Sequence, residues 1–211
     1  MIRAVLWDFG GVLTTSPFDA FNRYESERGL PRDFIRRVNA TNAEHNAWAR
    51  FESSLIGPDE FDRDFEVESR ALGHAVRGRD VIALLSGDVR PRMVAALRAC
   101  KARYKVGCLT NNVKSARDAG VVAIDARAAA VQAVMALFDI VVESSKEGIR
   151  KPNPAFYLRA CELLDVRPEE SVFLDDLGIN LKPAKALGMT TIKVVTEEQA
   201  LRALAEIVDL R

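Results

Sequence analysis

The chain has 211 residues, 48% hydrophobic and 28% charged, enough apolar content for one substantial core and a small subdomain. Its 30 Lys and Arg balance 30 Asp and Glu, so no global basic field recommends nucleic acid or an anionic membrane as partner. Cys100, Cys108 and Cys161 form no C-x-x-C pair and are odd in number, which argues against a disulfide framework or a zinc site.

Buried free thiols in a reducing, cytoplasmic setting are the expectation instead. No run approaches the ~18 apolar residues that span a bilayer. The first residues turn acidic too soon for a secretory signal. Asn39-Ala40-Thr41 therefore reads as a chance sequon.

Residues 2 to 7 read as a buried strand ended by Asp8-Phe9-Gly10-Gly11. Pro17 opens a helix over Phe18 to Glu27, and Pro31 suits the first turn of another. From there to about residue 85 the pattern is polar and helical, with Phe61 and Phe65 at helical spacing and a helix start at Pro58-Asp59-Glu60. Pro91 then opens a helix containing Met93, Val94 and Leu97. Val106 to Leu109 is a short apolar run ending in Thr110-Asn111-Asn112. Ala126 to Leu137 is helical, Ile140 to Val142 a strand, and Pro154 to Leu164 a helix. Val172 to Leu174 is a strand ending in Asp175-Asp176. A helix to Leu187 is capped by Gly188. A strand from Thr190 to Val195 and a helix from Glu197 to Ile207 complete the chain.

Strands alternating with helices predict an α/β fold with a parallel sheet covered on both faces. A helical cap is inserted after the first strand. The expected domains are a Rossmann-like core of residues 1–15 and 86–211 and a helical cap of residues 16–85. In such sheets ligands bind beyond the carboxyl ends of the strands, so the residues there are the ones to weigh.

Asp8 offers a carboxylate that can attack phosphorus and split one displacement into two. An isolated Asp-x-Gly is more often a turn or capping aspartate. Asp8-Phe9-Gly10 also matches the magnesium-binding triplet of protein kinases, but a triplet starting at residue 8 has no nucleotide-binding lobe before it. Asp175 and Asp176 are costly to crowd together without a cation, and magnesium prefers carboxylates, carbonyls and water; the bland reading is a pair of surface acids. Thr110 and Asn111 suit phosphate oxygens or a helix N-cap. Lys151, in a loop fixed by Pro152 and Pro154, can neutralise a phosphate and a nucleophile or simply be solvated.

Together, Asp8, Thr110, Lys151 and Asp175-Asp176 resemble the four motifs of the haloacid dehalogenase superfamily over nearly the whole chain. The likeness is strongest over Ile140 to Lys193, including Val-Val-Glu-Ser-Ser-Lys-Glu-Gly-Ile-Arg-Lys-Pro-Asn-Pro and Val-Phe-Leu-Asp-Asp-Leu-Gly-Ile-Asn-Leu-Lys-Pro-Ala. These segments are similar to the N-terminal phosphatase domain of soluble epoxide hydrolase. They are more similar still to a domain fused to some acyl-CoA dehydrogenases, as is Asn46-Ala47-Trp48-Ala49-Arg50-Phe51-Glu52.

The resemblance implies a magnesium-dependent phosphohydrolase acting on a small phosphorylated metabolite, with no nucleic acid or membrane partner and with a homodimer left open. Asp8 would be nucleophile and Mg2+ ligand, joined by Asp176 and the carbonyl of Gly10, with Asp175 sharing the site or behind it. Thr110 and the Asn111 backbone would hold phosphate, and Lys151 would orient it. The sequence departs from the pattern at Gly10, where most phosphatases of the family carry a second aspartate as general acid and base. That loss predicts weak turnover of alkyl phosphates. Two alternatives stand beside this reading: a non-catalytic phosphate- and magnesium-binding domain, and a metal-independent dehalogenase of the same fold.

Overall fold

A computed structural model describes residues 1–85, 87–111 and 126–209. Asn112, expected at the end of the second strand, lies outside the described residues. Two compact units are present. One comprises Met1–Thr15, Asp88–Asn111 and the described residues from 126 onward, and the other Ser16–Gly87.

The first unit is a five-stranded parallel sheet of β1 (Ala4–Trp7), β2 (Lys105–Thr110), β3 (Ile140–Glu143), β4 (Ser171–Asp175) and β5 (Thr190–Lys193), in the order β3-β2-β1-β4-β5. β1 is central, pairing in register with Lys105–Cys108 on one side and Ser171–Leu174 on the other. Its four residues are fully buried, and alternate side chains enter different cores. Val5 and Trp7 pack with Met93 and Leu97 of α6 (Pro91–Lys101), Val134 of α7 (Ala126–Met135) and Leu204 of α11 (Glu197–Ile207). Ala4 and Leu6 pack with Phe156 and Tyr157 of α9 (Pro154–Leu164) and Leu181 of α10 (Gly178–Ala186). A strand covered on both faces has no polar face, which is why this segment reads as an unbroken apolar run. All three cysteines are buried and free.

The described residues of the second unit contain five helices: α1 (Pro17–Glu27), α2 (Phe34–Ala40), α3 (Ala47–Glu52), α4 (Pro58–Ala71) and α5 (Gly78–Leu84). Phe21, Phe34, Phe51, Phe61 and Phe65 form much of its core. Pro17 and Pro58 open their helices as expected, because proline's fixed φ suits the first turn and its missing N–H costs nothing there. Pro31 does not. α2 starts three residues later, after Asp33 at φ 60°. The reason is remote in sequence: the buried Glu25 carboxylate accepts from the N–H groups of Asp33 (2.7 Å) and Ile35 (2.8 Å). It thereby supplies the cap that Asp33 itself does not make. Asp62 is also buried, and it binds the guanidinium groups of Arg77 and Arg79 and the Arg79 N–H.

Other boundaries shift slightly. β1 begins at Ala4 rather than Ile2, and β5 ends at Lys193 rather than Val195. Asp175 is the last residue of β4 rather than the first beyond it. A single-turn helix, α8 (Ser144–Glu147), is too short for its periodicity to show in the sequence. No helix among the described residues is long and apolar enough to cross a membrane.

Candidate active site

The parallel sheet brings the carboxyl ends of β1, β2 and β4 side by side, and the chemistry-bearing residues sit there. Asp8 continues β1, its N–H donating to the carbonyl of Leu174 (2.8 Å). Thr110 ends β2, and Asp175 ends β4. Lys151 arrives on the loop between α8 and α9. The side-chain amide of Asn111 fastens that loop, donating to the Lys151 carbonyl (3.0 Å) and accepting from the Lys151 N–H (2.9 Å). The amide is thus committed to placing Lys151, and what Asn111 can offer a phosphate is its backbone.

Lys151 is only 1% exposed. Its ammonium reaches Asp8 Oδ1 at 2.9 Å and Asp175 Oδ2 at 2.7 Å. Burial alone would lower its pKa, but Asp175 and Asp8 reverse that and hold it above the ordinary lysine range. Asp175 is fully buried. It also accepts from the Leu177 N–H (2.8 Å) and from the Asn180 amide at 3.1 and 3.0 Å. Asn180 is in turn fixed through its carbonyl by the Tyr157 hydroxyl (2.7 Å). Both Asp175 oxygens are therefore occupied, and this residue braces the site from behind.

Asp8 Oδ1 accepts from the Phe9 N–H (2.7 Å) as well as from Lys151. Its second oxygen has no hydrogen-bond partner among the described residues and is the one left to react. Asp8, Asp175 and Asp176 each offer an oxygen within 4.8 Å of the others. Burial, opposed by Lys151 but reinforced by Asp175 and Asp176, holds the Asp8 carboxyl well above its ordinary range. Burial and Asp175 push Asp176 up to about 6. Three carboxylates against one ammonium leave an excess of negative charge, which suits a divalent cation in an oxygen-rich site.

Gly11 is required by this packing. It has φ +73°, and a Cβ there would lie 2.2 Å from Asp176 Oδ2. Gly10 differs: among the described residues, its chain neighbours aside, a Cβ on it would meet no heavy atom within 4 Å.

Asp8, Lys151, Asp175 and Asp176 thus converge, with Thr110 and Asn111 at the adjacent strand end. Two participants carried no signal read from the sequence. Asn180 sits five residues beyond Asp175 on the first turns of α10, where a residue can reach back to the strand end. Arg90, just before Pro91, donates to the Gly11 carbonyl (3.0 Å).

The fold and site together define a Rossmann-like α/β protein with an aspartate at the end of its central strand. The model of the haloacid dehalogenase-like hydrolase family matches residues 2–188, and the chain belongs to that family. It is 32% identical over 208 residues to acyl-CoA dehydrogenase family member 10 of Mus musculus, covering 96% of this chain. It is 32% identical over 205 residues to phosphatase MT3486 of Mycobacterium tuberculosis, covering 89% of this chain and 85% of that protein. The chain spans only 19% of the mouse dehydrogenase family member, and 39% of mouse bifunctional epoxide hydrolase 2, to which it is 30% identical over 98% of its own length. A similar fold is found in a haloacid dehalogenase family enzyme from Bacteroides thetaiotaomicron in complex with magnesium and inorganic phosphate. Its TM-score is 0.59 at 21% identity, covering 92% of this chain and 94% of that one.

Proposed function

We propose that this chain is a magnesium-dependent phosphohydrolase that removes phosphate from a small phosphorylated metabolite through a phosphorylated Asp8. The observation that carries this reading is the cluster of Asp8, Asp175 and Asp176 with Lys151 at the sheet's carboxyl edge. Asp8, Asp176 and the carbonyl of Gly10 would hold Mg2+, with Asp175 bracing Lys151 and Asn180 bracing Asp175. Bound magnesium supplies positive charge to the phosphate oxygens. Thr110 and the Asn111 backbone bind those oxygens and align the phosphorus with Asp8. Lys151 orients the attacking carboxylate and, together with the cation, favours its ionised form. The second oxygen of Asp8 attacks, and water later releases phosphate from it. The helical segment 16–85 serves as a cap over the substrate, excluding water during transfer. Gly10 makes turnover of alkyl phosphates weak, because a positioned acid is worth about 10²–10⁴-fold.

A metal-free dehalogenase would also use Asp8, but it gains nothing from crowding Asp176 against Asp8. A non-catalytic phosphate-binding module would bind magnesium without turnover. Hydrolysis of an activated aryl phosphate, with and without magnesium, tests the reading. Magnesium-dependent turnover abolished in Asp8→Asn is the expected result. Magnesium binding without turnover across a broad phosphate panel, or halide release without metal, would overturn it.

A further inference from the structure

An aspartyl-phosphate mechanism needs a proton twice. The leaving oxygen takes one up in the first step, and the attacking water gives one up in the second. At Gly10 this chain has no side chain for either task, and among the described residues, its chain neighbours aside, no heavy atom lies within 4 Å of a built Cβ. Four groups of this unit that could serve instead are committed elsewhere. Asp175 is filled by Lys151, Leu177 and Asn180. The Lys151 ammonium is divided between Asp8 and Asp175. The Tyr157 hydroxyl is spent on the Asn180 carbonyl at 2.7 Å. Asp176 faces Asp8 among the carboxylates suited to the cation.

We infer that the substrates of this site are carboxylic–phosphoric anhydrides, the acyl phosphates, rather than alkyl phosphate esters, and that hydrolysis of phospho-Asp8 limits turnover. The inference rests on the phosphohydrolase reading and narrows it. In the first step Asp8 forms a bond to phosphorus, the bond from phosphorus to the acyl oxygen breaks, and the electron pair leaves on a carboxylate. A carboxylic acid with pKa about 4.3 is already ionised on release, so no donor is needed. An alkoxide, whose conjugate acid lies near water's ~15.7, cannot leave without one. In the second step water attacks phosphorus, the bond to Asp8 breaks with its pair returning to the carboxylate, and a proton passes to solvent or phosphate. That step has no positioned base and is slow for every substrate.

The experiment compares acetyl phosphate, p-nitrophenyl phosphate and glycerol 3-phosphate in excess magnesium, with wild type, Gly10→Asp and, as blank, Asp8→Asn. For wild type the expected kcat/KM for acetyl phosphate exceeds that for glycerol 3-phosphate by about 10³-fold or more, since donor loss alone accounts for up to about 10⁴-fold. Acetyl and p-nitrophenyl phosphate share one kcat, and p-nitrophenol appears as a burst equal to the protein concentration. Gly10→Asp raises kcat/KM for glycerol 3-phosphate at least about 10²-fold, changes kcat/KM for acetyl phosphate far less while raising the shared kcat, and abolishes the burst. Wild-type kcat/KM for glycerol 3-phosphate within tenfold of that for acetyl phosphate would overturn the inference, because a proton donor then reaches the site from elsewhere. A missing burst, with kcat tracking the leaving group, would overturn the rate-limiting step. No Asp8-dependent turnover or burst with any of the three would sink the phosphohydrolase reading itself.

Discussion

Substituting Gly11 by alanine separates the geometry of the site from the stability of the fold. The residue sits at φ +73°, where an L side chain costs about 1–2 kcal/mol. The new Cβ would lie 2.2 Å from Asp176 Oδ2 and 2.6 Å from its Cγ, so the carboxylate must retreat by about 1.2 Å to reach the 3.4 Å of an ordinary contact. A misplacement near 1 Å at a reacting constellation is worth about 10²-fold in rate. The backbone cost is small beside a typical stability of about 5–15 kcal/mol, and at about 2–4 °C per kcal/mol it lowers Tm by only a few degrees. Gly29 has φ +65° with nothing within 4 Å of its Cβ, so Gly29→Ala carries the backbone cost without the clash. The expected outcome is a similar Tm loss in both variants, with magnesium-dependent aryl phosphatase activity falling about 10²-fold in Gly11→Ala alone. Folded Gly11→Ala with turnover within threefold of wild type would refute the placement of Asp176 beside Asp8.

Further tests probe the supports of the site and of the helical unit. Asn180→Leu removes both amide bonds to Asp175 and should lower magnesium affinity or activity about 10–100-fold; isothermal titration against wild type measures it, and equal affinity and activity would argue against the brace. Magnesium binding should weaken as pH falls through about 6, where Asp176 takes up its proton; a pH-independent affinity between 5 and 7 would contradict this. Asp62→Asn replaces a buried carboxylate bound by Arg77 and Arg79 and should cost about 2 kcal/mol at neutral pH. Because Arg77, opposed by burial but joined by Arg79, holds the folded pKa of Asp62 below its ordinary value, its stabilisation is present above the unfolded carboxylate pKa of about 3.9 and is lost as pH falls through the lower folded value. The Tm difference between Asp62→Asn and wild type should therefore shrink below that pH, and a constant difference would count against an ionic contribution.

The parts of this protein that could be read in its sequence are those whose signal is local. β1 is legible because a strand buried on both faces must be apolar throughout, and α9 because Pro154 marks its start. Asp8 and the Asp175-Asp176 pair stand out because they abruptly end apolar strands, whereas Lys151 is singled out only by the resemblance of its loop to a family motif. Relationships across long stretches of chain were not legible. The start of α2 is set by Glu25, the aim of Lys151 by Asn111, and the state of Asp175 by Asn180. In each case a common polar residue gains its meaning from a partner that only the fold brings near. The resemblance left open whether Asp175 shares the cation site or sits behind it, and only the fold shows its oxygens engaged by Lys151, Leu177 and Asn180.

The chain leaves the sheet-bearing unit at Thr15 and returns to it at Asp88, and these two residues are hydrogen-bonded neighbours: Thr15 N–H donates to the Asp88 carbonyl (2.8 Å), and Asp88 N–H to the Thr15 hydroxyl (2.9 Å). Topologically, everything between them is a hairpin tip. Closing a loop costs entropy that grows only with the logarithm of its length, about 0.6 kcal/mol per doubling. The doorway at Thr15 and Asp88 therefore makes the insert interchangeable in size. A sequence half or twice as long could hang from the same two residues at almost no cost to the sheet. Residues 16–87 can be rewritten without disturbing the strand that carries Asp8.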